Sequence, residues 1–299
     1  MALSVNSLFG AVEPVVRKHY GLERKRKKPQ FKSIFNVSSG GETVKHSMEF
    51  GGPSQLQLKT ENGPVSSVSI TQGPNKTWNW ALYAGQITIS YELAKDVKYG
   101  QIKTVAGSLG RATSLTPEYL AAQFLDRAFN SSYPATADGQ ELCATDHLIV
   151  GTNAANGSNM LSTAAALEEE SLEDVMTNLR TMKGPDGMIT PFTAEALIVP
   201  SALGHKANKL SMSDKQVGSA NNDPSVVKGI KVNIFDFLDS STRWWAKTDA
   251  PNGLFWEFDE EAEFLEDNSI TTLQRVYVAF FRARWGCEDW RAIYGSNAA

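Results

Sequence analysis

Cysteine is nearly missing from this 299-residue chain: Cys143 and Cys287 are the whole complement. Two thiols cannot build a disulfide framework, so the fold has to be held by its own core. No run of about 18 apolar residues occurs, and no segment reads as a membrane-spanning helix. Residues 1–10 lack a charged start followed by a long apolar core, so no signal peptide is expected. The phosphate-cradling patterns G-x-G-x-x-G and G-x-x-x-x-G-K-[ST] are absent, as is the G-x-S-x-G elbow. Ser225 and Lys228 fit S-x-x-K, but the companion S-D-N and K-T-G are missing, which leaves a chance match. Cys143 and His147 stand four apart without the further ligands a tetrahedral metal needs. A buried thiol and a hydrogen-bonded imidazole is the plainer reading. No catalytic residue, cofactor or metal is expected.

What is present is an ordinary globular composition, 41% apolar and 21% charged, long enough for one large or two modest domains. The net charge of −4 hides an asymmetry. Residues 1–45 hold nine Lys/Arg against three acids, while the remaining residues carry 20 bases and 30 acids. The basic block is Arg24, Lys25, Arg26, Lys27 and Lys28. The acidic block, residues 257–267, contains Glu260, Glu261 and Glu263 among seven acids and no base. It lacks the spacing of a calcium loop. Each block reads first as a solvated face and second as a contact with an opposite surface, for the basic block a polyanion or an acidic protein face.

In chain order, Leu8, Val12, Val15 and Val16 predict a short amphipathic helix inside an arm. Residues 46–91 predict strands: Leu56 and Leu58 alternate with polar residues, Asn62–Gly63 signals a turn, and Val68 and Ile70 alternate again. Residues 91–130 predict a long helical spine with Ala94, Ile102, Val105, Leu109 and Ala112 on one face. Gly100, Gly107 and Gly110 weaken it, and Ser114–Leu115–Thr116–Pro117 predicts a break and restart capped by Thr116. Ser171 is expected to cap a helix bearing Leu172, Val175, Met176, Leu179 and Met182. A strand at 196–200, a small helix from Ser201, a polar loop at Asn221–Asn222–Asp223–Pro224 and a strand at 230–238 complete an α/β layer. Past Leu254 the tail predicts the acidic run, then a strand at 273–281. The tryptophans read as core or interface, not as stacking platforms for bases.

From residue 138 onward the order of short motifs carries a resemblance. It runs Asp138–Gly139–Gln140–Glu141–Leu142, Asp146–His147, Asn156–Gly157–Ser158–Asn159, Asp186–Gly187–Met188–Ile189 and Leu197–Ile198–Val199–Pro200. Phe237–Leu238, Trp245, Thr248–Asp249 and Leu254 follow. The sequence resembles the major head subunits of tailed bacteriophages, most closely the Mu-like major head family. The resemblance implies an α+β chain with the Hong Kong-type phage capsid fold. It implies an N-terminal arm (1–45), an extended β-hairpin loop (46–90), a spine-helix peripheral domain (91–145 with 255–299) and an axial domain (146–254). The implied role is mechanical: copies form hexamers and pentamers that close into an icosahedral head around double-stranded DNA, bound without sequence preference. Portal, scaffold and decoration proteins are the further candidate partners, with assembly in the bacterial host cytoplasm and residence in the virion. The runner-up is the shell of an encapsulin-like nanocompartment of the same fold. Some relatives cross-link subunits through a hairpin Lys and an Asn, for which Lys59 or Lys76 with Asn268 are the candidates here. The assembly or DNA-facing residues expected are Arg24 through Lys28, Asn62, Gly63, Glu260, Glu261 and Glu263.

Overall fold

The computed structural model describes residues 5–53, 55–65, 67, 70–96, 99–215, 225, 227–269 and 271–298. The expected loop at Asn221–Asn222–Asp223–Pro224, Val68 and the side chain of Leu8 lie outside the described residues. The chain opens with α1 (Val5–Arg24), a 3-10 turn at Phe31–Ser33 and strands β1 (Asn36–Ser39), β2 (Lys45–Gly51), β3 (Thr71–Trp78) and β4 (Ala81–Ser90). Helices α2 (Tyr91–Lys95) and α3 (Tyr99–Asp126) follow, then β5 (His147–Ile149), β6 (Ala154–Gly157) and α4 (Glu169–Thr181). Next come β7 (Ala194–Pro200), α5 (Gly204–Met212), β8 (Lys231–Phe235) and β9 (Trp244–Thr248). The chain ends with β10 (Leu254–Ser269), β11 (Gln274–Cys287) and β12 (Ile293–Ser296).

Two four-stranded sheets organise these elements, in the orders β1-β10-β11-β4 and β12-β9-β7-β8. The first is built on the β10–β11 hairpin, antiparallel from Leu254↔Cys287 to Ser269↔Gln274 with bulges near Glu260. The acidic run is therefore itself a strand. Its period-two pattern sets Phe258, Ala262 and Phe264 towards apolar neighbours while Asp259, Glu261 and Glu263 stay exposed. In the second sheet the same alternation separates neighbours in sequence. Ile198 and Trp245 enter the core shared with the first sheet, with Trp256, Phe281, Leu125 and Phe35. Leu197, Val199, Trp244 and Ala246 face the other way, onto Leu172, Val175 and Leu179 of α4 and Ala207 and Leu210 of α5.

The spine differs from expectation at its middle. α3 runs 28 residues through Pro117 without stopping, about 42 Å at 1.5 Å per residue. Thr116 is no cap: its hydroxyl donates back to Ala112 O at 2.8 Å, as Thr113 donates to Leu109 O at 2.8 Å. The side-chain donors serve helical carbonyls around the point where Pro117 brings no N–H. Ala112 is exposed, and Ile102, Ala106 and Leu109 form the buried stripe. The glycines have a reason that spacing alone does not give. A Cβ on Gly110 would sit 2.4 Å from Tyr20 O, and one on Gly107 3.1 Å from Glu23 Cγ. They let α1 lie against the spine, so the arm's helix is long and docked, with Val12 and Val16 packed on Ile89, Ile102, Ala106 and Tyr277.

Two smaller expectations also shift. Ser171 occupies the third position of a capping box whose N-cap is Glu168. Leu56 and Leu58 are not in strands. The hairpin's ladder stops at Gly51↔Thr71, and the described residues of the loop beyond it include a turn at Asn62, with φ 61°, closed by Gly63 N donating to Thr60 O at 3.1 Å. Leu56 and Leu58 are 85% and 95% exposed there. The whole chain exposes 16327 Å², against roughly 12,000 Å² for a compact monomer of this mass. For the spine contact, Gly110→Ala should lower stability by about 1–3 kcal/mol, although Ala alone favours a helix by about 1 kcal/mol. Urea unfolding checks this, and a stabilised variant would mean that α1 is not seated on Gly110.

Candidate functional site

No cluster of three metal-ligating side chains occurs among the described residues, and none of their helices is long and apolar enough to cross a membrane. His147 is buried with Nδ1 2.8 Å from Asp138 Oδ2 and Nε2 3.2 Å from Asn159 Oδ1, and its ring stacks on Trp290. Cys143 is buried too, which pushes its thiol pKa up. Asp138 also accepts from Leu148 N and Thr136 Oγ1. Burial alone would raise its pKa, but the bonds from His147 and its other partners outweigh that and hold the carboxyl well below the usual range. Asn159 Nδ2 donates to Leu142 O, Trp290 O and Ile293 O while Oδ1 accepts from Ala144 N. Both polar residues thus serve the irregular stretch between α3 and β6. Lys228 of the S-x-x-K match is paired with Asp214.

The surface chemistry is concentrated in a charged seam. Lys45 on β2 donates to Glu257 Oε1 at 2.6 Å and pairs with Glu288 at 2.6 Å. Arg284 Nε, opposite on β11, donates to Glu257 Oε2 at 2.7 Å, and its guanidinium lies 4.1 Å from the Trp80 ring centre. Arg282 holds Asp259 at 2.7 Å. At the far end of the hairpin Arg17 and Arg275 converge on Glu266 and Glu13. Part of the acidic strand is therefore neutralised within the chain by arginines of the next strand and of the arm. Glu260, Glu261 and Glu263 are exposed, and among the described residues they have no ion pair.

The basic block divides similarly. Arg24 Nη1 donates to Ala262 O at 3.0 Å, so arm and acidic strand already touch inside one chain. Arg26 pairs with Glu23, whereas Lys25 and Lys28 are exposed without a partner among the described residues. Where the block ends, the Glu118 carboxylate of the spine accepts from Gln30 N at 2.7 Å and Phe31 N at 3.0 Å, fastening the arm beside Pro117. Burial raises the pKa of Glu118, opposed by those two backbone bonds.

The β2–β3 hairpin is anchored along its paired strands. Arg291, fully buried, donates Nε to Lys183 O at 2.7 Å and Nη1 to Asp289 Oδ1 at 3.0 Å and to Glu49 of β2. Gly51 meets Gly151 so closely that a Cβ would lie 2.7 Å from its backbone nitrogen. Beyond these contacts Leu56, Leu58, Val65 and Ile70 are exposed. Asn62 and Gly63 form the turn, where a Cβ on Gly63 would meet only Thr60 within 4 Å. Of the cross-linking candidates, Lys76 is held by its own chain, donating to Pro134 O at 2.8 Å beside Trp78, and burial lowers its pKa. Asn268 accepts from Arg275 at 3.0 Å near the end of the β10–β11 hairpin, and Lys59 is exposed. Sequence reasoning missed Glu118, Glu49 and Arg291; for Arg291 the signal was an arginine within an aromatic, apolar terminus.

Glu257 carries a testable pH dependence. Burial opposes its ionisation, but the bonds and charges of Lys45 and Arg284 prevail, and its pKa is lowered. Its stabilisation is then complete above the ordinary glutamate range near ~4.3 and fades as pH falls through the lower folded value. Glu257→Gln should cost about 3 kcal/mol at neutral pH, because Arg284 is left buried without its counter-charge. The gap to the parent protein should shrink in acid. Urea midpoints from pH 7 to 3 measure it, and a pH-independent gap would contradict this account.

Comparison with known proteins gives this geometry its context. The family model for phage capsid protein matches residues 80–296, well over half of the chain. No curated protein matches the chain. Among solved structures it is similar to the capsid of the cyanophage P-SCSP1u, at 9% identity with 91% of this chain and 89% of that chain covered and a TM-score of 0.57. It is similar to the capsid of an empty GTA particle, at 16% identity, 91% and 90% coverage and a TM-score of 0.54. A virus-like particle from Pyrococcus furiosus matches at 13% identity, 95% and 98% coverage and a TM-score of 0.53. These likenesses establish the Hong Kong-type capsid fold. The spine, the long acidic hairpin and the two sheets over a shared core thus belong to a structural subunit, not an enzyme, and the chain is a member of the phage capsid protein family.

Proposed function

We propose that the chain is the major capsid subunit of a tailed bacteriophage head of the Mu-like kind, forming hexamers and pentamers around double-stranded DNA. The family match carries the capsid role; the loop at 52–70 supports the mode of assembly, because Leu56, Leu58, Val65 and Ile70 among its described residues are exposed, more apolar surface than the folding of one chain explains. One face of the first sheet is also open: α1 and α3 cover Ile87, Ile89, Tyr277 and Ala279, while Leu82 and Leu265 on the opposite face are 61% and 55% exposed. A neighbouring copy can supply what each surface lacks. In this reading residues 1–45 are the arm, 46–90 the extended loop, 91–145 with 255–299 the peripheral domain and 146–254 the axial domain. The nanocompartment shell stays second, on the likeness to the Pyrococcus particle. DNA rather than protein inside purified particles separates the two.

Deleting residues 57–71 and closing the gap with a short turn should leave a folded subunit, since no buried core residue lies among the described members of that range. Electron microscopy should then show shells lost or fragmented. Normal particles from the deletion would make the loop incidental to assembly.

For the basic block, the proposal is that Lys25 and Lys28, with the arm's excess of positive charge, face either the packaged DNA or the exposed Glu260, Glu261 and Glu263 of a neighbour. Lys25→Glu with Arg26→Glu and Lys27→Glu discriminates these in shells assembled without DNA. Intact empty shells that retain DNA poorly would place the block on the genome side, where counterion release drives binding. Failed assembly restored by reversing the three glutamates to lysine would place it on the neighbour. Unaltered assembly and unaltered DNA retention would reject both.

A further inference from the structure

Three Asn-Gly dipeptides occur in the chain, Asn62–Gly63, Asn156–Gly157 and Asn252–Gly253. Each carries the same chemistry in principle. A glycine has no Cβ to obstruct its nitrogen, and its backbone turns easily, so that nitrogen can reach the side-chain carbonyl of the preceding asparagine. The fold then separates the three. Gly157 is paired with His147 between β5 and β6, and a Cβ there would lie 2.7 Å from the Trp290 ring. Gly253 is buried, and a Cβ on it would sit 2.5 Å from Ala292 Cβ. Asn252 O accepts from Asp289 N at 3.0 Å, and Gly253 O from Glu288 N at 3.3 Å. Neither of these glycines can turn without breaking such contacts. Asn62 is exposed with φ 61°, beyond the last ladder pair, Gly51↔Thr71. Among the described residues Gly63 N has one backbone partner, Thr60 O at 3.1 Å, and the three atoms nearest a Cβ on Gly63 all belong to Thr60.

We propose that Asn62 is a site of spontaneous deamidation, through which the loop at 52–70 gains negative charge as the protein ages. The Gly63 nitrogen gives up its proton and bonds to the Asn62 side-chain carbonyl carbon. The side-chain carbon–nitrogen bond breaks, and the amide nitrogen takes up that proton and leaves as ammonia. Water then opens the cyclic imide. Attack at the side-chain carbonyl gives aspartate, and attack at the main-chain carbonyl gives isoaspartate. Amide and water become acid and ammonia, so neither oxidant nor reductant is required. The first step needs Gly63 N–H released from Thr60 O, a single turn bond, whereas packing and further bonds hold the other two pairs. Residues 52–70 contain one cation, Lys59, and one acid, Glu61, so a neutral loop becomes anionic where Leu58 and Val65 are exposed. Isoaspartate also lengthens the main chain inside the Thr60–Gly63 turn, which alters the distance that its closing bond spans. The modification is a property of the single chain and is independent of the shell reading.

Peptide mapping by tandem mass spectrometry tests it on the purified full-length protein, held folded at neutral and at mildly alkaline pH. The tryptic peptide of residues 60–76 carries Asn62. Asn62 should convert to a mixture of aspartate and isoaspartate, faster at the higher pH because the attacking nitrogen must lose its proton. Asn156 and Asn252 should convert at least about tenfold more slowly, a barrier difference of roughly 1.4 kcal/mol. In urea all three should convert at similar rates, which assigns the difference to the fold and not to the dipeptide. Gly63→Ala should slow conversion at Asn62, with circular dichroism confirming that the variant is folded. Equal rates at the three asparagines in the folded protein, or a difference that persists in urea, would overturn the proposal. So would aspartate without isoaspartate, or a Gly63→Ala variant that converts as fast as the parent.

Discussion

The pairing of β10 with β11 is the constraint on which the rest of the molecule hangs. A strand with seven acids between residues 257 and 267 would repel itself if isolated. It persists because β11 sets arginines across from it: Arg284 opposite Glu257, Arg282 opposite Glu260 and bonded to Asp259, and Arg275 opposite Asn268 and paired with Glu266. Cross-strand pairs of opposite charge stabilise a sheet by a few tenths to 1 kcal/mol each. Here they also decide register, since a one-residue slip would turn every arginine to the other face. Once that ribbon is fixed, β1 and β4 add to its two sides, and α1 and α3 cover one face. The elongated form of the subunit follows from the length of this hairpin and of the spine.

A second layer of order comes from buried polar groups standing where regular secondary structure is scarce. Between α3 and α4 the chain has only the short β5–β6 pair, so many backbone groups need partners from side chains. Asn159 serves two of them, Leu142 O and Ala144 N, and ties them to Trp290 O and Ile293 O near the chain's end, while Asp138 serves Leu148 N and holds His147. Arg291 does the same for the other margin, tying Lys183 O, Asp289 and Glu49 into one point. Losing such a group strands several buried donors or acceptors together, a cost of about 1–3 kcal/mol for each. That explains why short motifs such as Asp138–Gly139, Asp146–His147 and the Gly157–Ser158–Asn159 run carry so much of the resemblance to head proteins. They are structural fasteners, not the remnants of a catalytic site.

Much of the architecture was legible because it is written in periodicity. The apolar stripe of α4 and the amphipathic arm follow a 3.6-residue pattern, and the strand at 196–200 shows as a short continuous apolar run. What failed depended on contacts distant in sequence. Gly107 and Gly110 look like weak points in a helix until Tyr20 and Glu23 are placed against them. Ser114–Pro117 reads as a break and restart, yet the helix runs through it, with Thr113 and Thr116 hydroxyls donating to Leu109 O and Ala112 O. The acidic run looks like a solvated face because the arginines set across from it, Arg282 and Arg284, lie some 25 residues later. For the assembly surface, residue type identified the charge blocks. Only the fold shows which charges are already matched at home and which, such as Lys25, Lys28, Glu260 and Glu263, are left over.

That division between matched and leftover groups bears on how such a subunit can be both stable and ready to assemble. Burying a large aliphatic side chain contributes about 1.5–3 kcal/mol, so Leu56, Leu58, Val65 and Ile70 together represent several kcal/mol that the single chain leaves unused. Ordering the loop would consume about 1–2 kcal/mol per residue of backbone entropy, enough to offset much of that gain. In the assembly proposed above, such a contact would be weak for one pair of copies. A weak contact can break and re-form, which permits misplaced subunits to leave. Repeated around a closed shell, where each copy is held by several neighbours at once, the same modest terms accumulate into a durable particle. The cores, with Trp245 and Trp256 fully buried and Arg284 and Arg291 paired inside, do not take part in that exchange. Folding is settled within the chain, and the assembly proposed above would draw on what folding leaves exposed.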